Sequence, residues 1–221
     1  MAEVLGKIPS LLFGLLLFAL GVVMTINAGI GVSPWTVLSV GLAERLPLTL
    51  GQINQVIGLN VIIIGWILGF PPGLATVFNM YFIGYFIDVL FQYNIVPTPE
   101  GLLPQILLLL LGVAVIGVAS LFYLRVQLGA GPRDGLMVGL VKKLDRPVSH
   151  VRGAIELTVL VAGWLLGGPV GLGTLISAVT IGPSVQMAFK MGGFDAKEAE
   201  HMDFTELHRH LFQRPIEEQR R

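Results

Sequence analysis

Two charged pairs stand in segments otherwise built to avoid water: Arg133 beside Asp134, and Arg152 four residues before Glu156. Four residues is one helical turn, so Arg152 and Glu156 can pair along a single helix. A carboxylate at membrane depth has two natural uses: to lock helices through an ion pair, or to bind a substrate or carry a proton. Asp134 follows a Gly-Pro turn, where a carboxylate can cap exposed amides, and Arg133 puts a cation beside a helix start, a place that attracts anions. Ser33, Asn54, Asn79 and Asp88 complete the candidate substrate-binding set. Asn54, Gln55, Asn60 and Asn79 serve equally well as hydrogen-bond glue between helices.

These side chains need helices to hold them. Of the 221 residues 54% are hydrophobic and only 13% charged, well under the roughly 25% charged of a soluble domain. Mean hydropathy is +0.79. Runs such as LLFGLLLFALGVVMTI from Leu11 and ILLLLLGVAVIGVASLFYL from Ile106 approach the roughly 20 apolar residues that cross a bilayer as helix. The expected fold is an all-α polytopic membrane protein. The first run resembles a secretory signal, with Lys7 ahead of it, but its counterpart recurs in mid-chain, so it is expected to be part of the architecture.

GWILGFPPGLAT at Gly65 returns as GWLLGGPVGLGT at Gly163. Setting residues 31–88 against those 98 positions on requires no gap and gives 20 identities in 58 positions. Gly, Pro, Trp and Thr carry many of them, and these residues have positional meaning that apolar residues lack. The chain therefore reads as two membrane units, 8–95 and 104–191, with a loop at 96–103 between them and a polar tail at 192–221. The first unit has apolar segments at 9–28, 33–46, 50–69 and 74–92; the second has them at 106–125, 131–144, 149–168 and 172–190. The segments at 33–46 and 131–144 are short. About 13 helical residues cover some 20 Å of a 30 Å core. Both open on helix-start signals, Ser33-Pro34 and GPRD from Gly131, as a re-entrant helix would. The repeated GW-LG-P-GL-T is expected to form a tight hairpin, with Gly69 or Gly167 ending one helix, Thr76 or Thr174 opening the next, and Trp66 and Trp164 near the interface.

If all four segments cross, the units are parallel, with 4+4 spans; if the short one dips and returns, each unit crosses three times and the second is inverted. Arg45 is the one Lys or Arg between Leu11 and Gln92, whereas the second unit carries Arg125, Arg133, Lys142, Lys143, Arg146, Arg152 and Lys190. With Lys7 inside, inversion puts all seven on the cytoplasmic face and Arg45, Asp88 and Glu100 outside, as the positive-inside bias expects. The inverted arrangement is favoured.

GIGVSPWTVLSVGL at Gly29, GAGPRDGLMVGL at Gly129, RGAIEL at Arg152 and GWLLGGPVGLGTLISAVTIGPSVQ at Gly163 together resemble the YczE-like family of small bacterial integral membrane proteins, distantly related to YitT-type proteins. The resemblance runs to residue 191. It implies a multi-pass protein of a bacterial inner membrane, and supplies neither a substrate nor catalytic residues. Trp35-Thr36 stands where that family is expected to carry an aromatic residue followed by Asp.

No Gly-rich phosphate loop, nucleophile triad or nucleic-acid motif is present in the sequence. The expectation is neither an enzyme nor a nucleic-acid binder, with no cofactor and no metal. The leading reading is a secondary transporter or permease for a small anionic or polar solute, both termini cytoplasmic, its site where the short helices meet near the midplane. The alternative is a non-transporting membrane scaffold or regulatory partner, for which Gly-rich segments suit close packing. In the tail, residues 203–212 suit a short amphipathic helix, and His201, His208 and His210 match no firm ligand spacing.

Overall fold

The structure, a computed structural model, describes residues 2–194 and 202–204. Those residues form eight helices and no strand: α1 (Ala2–Asn27), α2 (Pro34–Ala43), α3 (Leu50–Ile67), α4 (Leu74–Gln92), α5 (Leu102–Leu124), α6 (Pro132–Leu144), α7 (Val148–Leu165) and α8 (Leu172–Met191). Six are long and apolar enough to cross a membrane; α2 and α6 are not among them. With 10 residues in α2 and 13 in α6, they reach about 15 and 20 Å. Of the expected tail helix at 203–212 only 203 and 204 are among the described residues, and the three histidines lie outside them.

Local chemistry sets the boundaries. Pro34 and Pro132 occupy the first helical position, where a missing N–H costs nothing. Thr49 opens α3 with a capping box: its hydroxyl accepts from Gln52 N–H, and the Gln52 side chain accepts from Thr49 N–H. α2 stops at Ala43, short of the expected 46, because Pro47 forces the chain out of helical geometry just ahead of it. α5 begins at Leu102, ahead of the expected 106, since Pro104 falls in the first turn where proline is tolerated.

The repeated hairpins turn at left-handed glycines, Gly69 (φ 89°) and Gly167 (φ 100°). Thr76 and Thr174 then accept hydrogen bonds from the N–H of Gly73 and Gly171 at 3.0 and 3.1 Å. Trp66 and Trp164 stand exposed at the hairpin ends. The hairpins also carry contact between the halves. Ala75 N–H donates to Leu128 carbonyl at 2.7 Å, and Gly173 N–H donates to Ile30 carbonyl at the same distance. Each residue of the second bond lies 98 positions from a residue of the first, with donor and acceptor halves exchanged. The glycine contacts behave alike: Gly31 abuts Gly171 and Gly129 abuts Gly73, while Gly41 meets Gly163 and Leu166 and Gly139 meets Gly65 and Leu68.

At the centre α1 packs on α5. Gly14 faces Ala119–Tyr123 and Gly21 faces Gly112–Ile116, so the helices run antiparallel at glycine-close range. Leu11, Leu15, Ala19 and Val23 of α1 and Leu109 of α5 are fully or almost fully buried, and the α1 residues join Ile83 and Ile87 of α4 in the main core cluster. α4 flanks α1, α8 flanks α5, α2 packs on α7, and α3 packs on α6. Residues 202–204 lie on the loops of this assembly: Met202 N–H donates to Gln127 carbonyl and Phe204 N–H to Pro72 carbonyl.

Candidate functional site

The two short helices are too short to cross, and both aim their first turns into one cavity of about 480 Å³ between the halves. Ser33 to Thr36 of the α2 start and Gly131 to Asp134 of the α6 start line it. In each helix the second and third residues, Trp35 and Thr36 or Arg133 and Asp134, present backbone N–H groups ahead of the first intrahelical bond. That bond runs from Val37 to Ser33 in α2 and from Gly135 to Gly131 in α6. Neither N-cap residue supplies a side-chain cap. Two helix N-termini therefore face the same space, the α6 one with the Asp134 carboxylate beside it.

Seven of the eight candidate residues line this cavity: Ser33, Asn54, Asn79, Arg133, Asp134, Arg152 and Glu156. The Arg133 guanidinium lies over the Trp35 ring, 4.7 Å from its centroid. These two residues are 98 apart, so counterpart positions of the halves touch each other. The Asp134 carboxylate turns back on its own helix start: a Cβ at Gly131 would sit 3.2 Å from Asp134 Oδ2, 3.3 Å from Tyr123 Oη and 3.9 Å from Asn79 Nδ2. Acid, phenol and amide thus form one polar cluster at the α6 N-terminus, with Tyr123 in hydrogen-bonding contact with Asp134. Arg152 Nε donates to Glu156 Oε1 at 3.0 Å, the expected pairing, and both side chains remain partly exposed at 57% and 37%.

Asp88 lies elsewhere. Its carboxylate accepts from Thr49 Oγ1 at 2.5 Å and from Gly51 N–H at 2.8 Å, fixing the end of α4 to the start of α3. Its counterpart Gln186 does line the cavity. Sequence reasoning missed Thr36, Ser120 and Tyr123 as cavity residues and read Ser177 only as the polar counterpart of Asn79. Ser177 is fully buried, and its Oγ has no hydrogen-bond partner among the described residues. A lone serine in an apolar helix gives no sequence signal, because such hydroxyls ordinarily bond the carbonyl one turn back; Ser39 and Ser120 do so.

The cavity opens along one side. α7 does not pack along α8, and a Cβ placed at Gly153 of α7 or Gly182 of α8 would meet nothing within 4 Å. The corresponding seam between α3 and α4 is closed: Gly51 and Gly84 are in backbone contact, and the Gln55 amide donates to Tyr81 carbonyl at 2.9 Å.

Residues 5–190 match a family of unknown function, DUF6198. An uncharacterized protein of Haemophilus influenzae is 36% identical over 179 residues, covering 81% of this chain and 81% of that protein. The uncharacterized membrane protein YczE of Bacillus subtilis is 38% identical over 173 residues, covering 76% of this chain and 79% of its own. A second B. subtilis protein, YyaS, is 29% identical over 166 residues, covering 74% and 83%. No solved structure matches. With its six long apolar helices, the chain belongs to the DUF6198 family of YczE-related membrane proteins.

Proposed function

We propose that this protein is a secondary transporter or permease for a small polar or anionic solute, its two halves inverted relative to each other in a bacterial inner membrane and both termini cytoplasmic. The observation that carries this reading is the cavity of about 480 Å³ that receives both short-helix starts together with Arg133. Broken helices that point their N-termini at a site between repeats are how many transporters hold anionic groups within a membrane. A scaffold would be served by a dry, packed seam, and a cavity of this size with charged and amide side chains on an otherwise apolar wall weighs against that alternative. The antiparallel run of α1 on α5 supports inversion, since these helices are 98 residues apart. So does the crowding of Lys and Arg in the second half. The reading assigns no catalytic step and no cofactor.

The absence of native cysteine makes the test direct. Leu48→Cys, Arg146→Cys and the cavity substitution Ser120→Cys are each exposed to a membrane-impermeant thiol reagent, in intact cells and in inside-out vesicles. Labelling of Leu48→Cys from outside and of Arg146→Cys from inside establishes inversion. Labelling of Ser120→Cys from both sides is the behaviour of an alternating-access cavity. A Ser120→Cys that is refractory from both sides while the loop positions react points to the scaffold.

A further inference from the structure

The two short helices differ in what stands at their positive ends. At α6, Asp134 supplies a resident carboxylate that folds back on the helix start. At α2 the counterpart is Thr36, and no acid lies in the first turn. The α2 end nevertheless has what a carboxylate needs. The N–H groups of Trp35 and Thr36 precede the first intrahelical bond. The hydroxyls of Ser33 and Thr36 lie 2.9 Å apart, and the Arg133 guanidinium is parked on the adjoining Trp35 ring. Independently, Ser177 Oγ is wholly buried and unpartnered and lines the same cavity. It sits one turn along α8 from Gly173 and Thr174, the residues that hold the backbone at Ile30 and Gly31 just before α2. A buried hydroxyl without a partner is destabilising unless something else completes it.

We propose that the start of α2 is the subsite for the carboxylate of a small monocarboxylate with an apolar body, which takes at α2 the place that Asp134 takes at α6. A planar carboxylate suits the N–H edge of a guanidinium stacked on an indole. The cavity already balances Arg133 and Arg152 against Asp134 and Glu156, so what remains is the roughly +0.5 charge of each helix start, which suits one negative charge and not two. Phe18, Val22, Ile57, Ile83 and Ile181 offer the rest of the ligand an apolar wall. This proposal deepens the transport reading and rests on it for the ligand being a carried solute.

Thermal unfolding of the purified full-length protein in detergent tests the subsite, with 3-methylbutanoate as probe, 3-methylbutanamide as its uncharged isostere and inorganic phosphate as the multiply charged anion. The wild type should gain in midpoint with 3-methylbutanoate and with neither of the others. Thr36→Asp, which installs at α2 the carboxylate that α6 already carries, should abolish the gain, whereas Thr36→Asn retains it in part. Ser177→Ala should fold as the wild type does and weaken the probe by on the order of tenfold, as loss of one bond to a charged group predicts. If Thr36→Asp fails to give a folding transition, Ser177→Ala decides alone. An equal gain with the amide, an undiminished gain in Thr36→Asp, or unchanged affinity in Ser177→Ala overturns the subsite. Probe binding without uptake into proteoliposomes leaves the subsite and removes transport; uptake indifferent to Thr36→Asp and Ser177→Ala leaves transport and removes the subsite.

Discussion

The α3/α4 seam and the α7/α8 seam occupy corresponding places in the two halves, yet one is shut and the other open. Gly84 of α4 presses on the backbone of Gly51, and Asp88 ties down Thr49 and Gly51. On the other side Gly182 stands where Gly84 stands, but it faces empty space. The residues opposite the tie are Pro147, Ser149 and Gln186 in place of Thr49, Gly51 and Asp88, so neither the hydroxyl of Thr49 nor the carboxylate of Asp88 has an equivalent. A glycine facing nothing gains its helix no packing and costs about 0.5–1 kcal/mol against alanine. Glycine at 153 and 182 leaves room for α8 to admit α7 as closely as α4 admits α3. Under the proposed transport role, the same small-residue seam is a fixed joint in one half and a moving one in the other.

The strongest test of that reading forces the open seam shut. Gln55 and Gly84 are near neighbours, a Cβ at Gly84 lying 2.7 Å from Gln55 Cγ, and their counterparts are Gly153 and Gly182. In a protein without native cysteine, the pair Gly153→Cys/Gly182→Cys should form a disulfide in oxidised membranes, visible as complete loss of both thiols to a maleimide-polymer gel shift. With Ser120→Cys added as a reporter, protected during oxidation and unmasked afterwards, the closed seam should no longer admit reagent from the cytoplasmic side. Thiols that stay free under oxidant, though each is reactive, would show that the seam does not close.

A smaller effect separates the two glycines themselves. Gly84→Ala drives a methyl into the Gly51 backbone, an overpacking expected to cost about 2 kcal/mol. Gly182→Ala meets open space and should raise stability by about 0.5–1 kcal/mol. Unfolding midpoints in one detergent compare them, and equal losses would mean that the seams are equally packed in solution.

The sequence made the local part of this architecture legible. Span length, the Pro-initiated short helices and the Gly-turn-Thr hairpins are written in residues a few positions apart, and the six long and two short helices fall close to where that chemistry placed them. The positions of polar side chains were less legible, because they depend on partners far along the chain. Asp88 reads like a cavity acid, but its partners lie 37 and 39 residues away, at the start of α3. Tyr123 and Ser177 sit in apolar helices without any local mark, and only the packing of α5 and α8 turns them towards the cavity. The hairpin motif was readable as a turn, while its second use, joining Gly73 to Gly129 and Gly171 to Gly31 across the halves, required the fold.

Arg152 and Glu156 edge the open seam, and the closed seam has Asn54 and Gly58 in their places. As a half-exposed pair one turn apart, they contribute only about 0.3–0.5 kcal/mol to stability, so Glu156→Gln should leave the unfolding midpoint almost unmoved. Its effect belongs to function. Under the proposed transport role, a carboxylate at the mouth of the cavity can carry a proton across with the solute, and a glutamine cannot. In proteoliposomes loaded at one pH and diluted into another, uptake by the wild type should follow the imposed gradient, while uptake by Glu156→Gln should ignore it. Wild-type gradient dependence in the variant would reduce Glu156 to the partner of Arg152 and leave the open seam without a proton-carrying role.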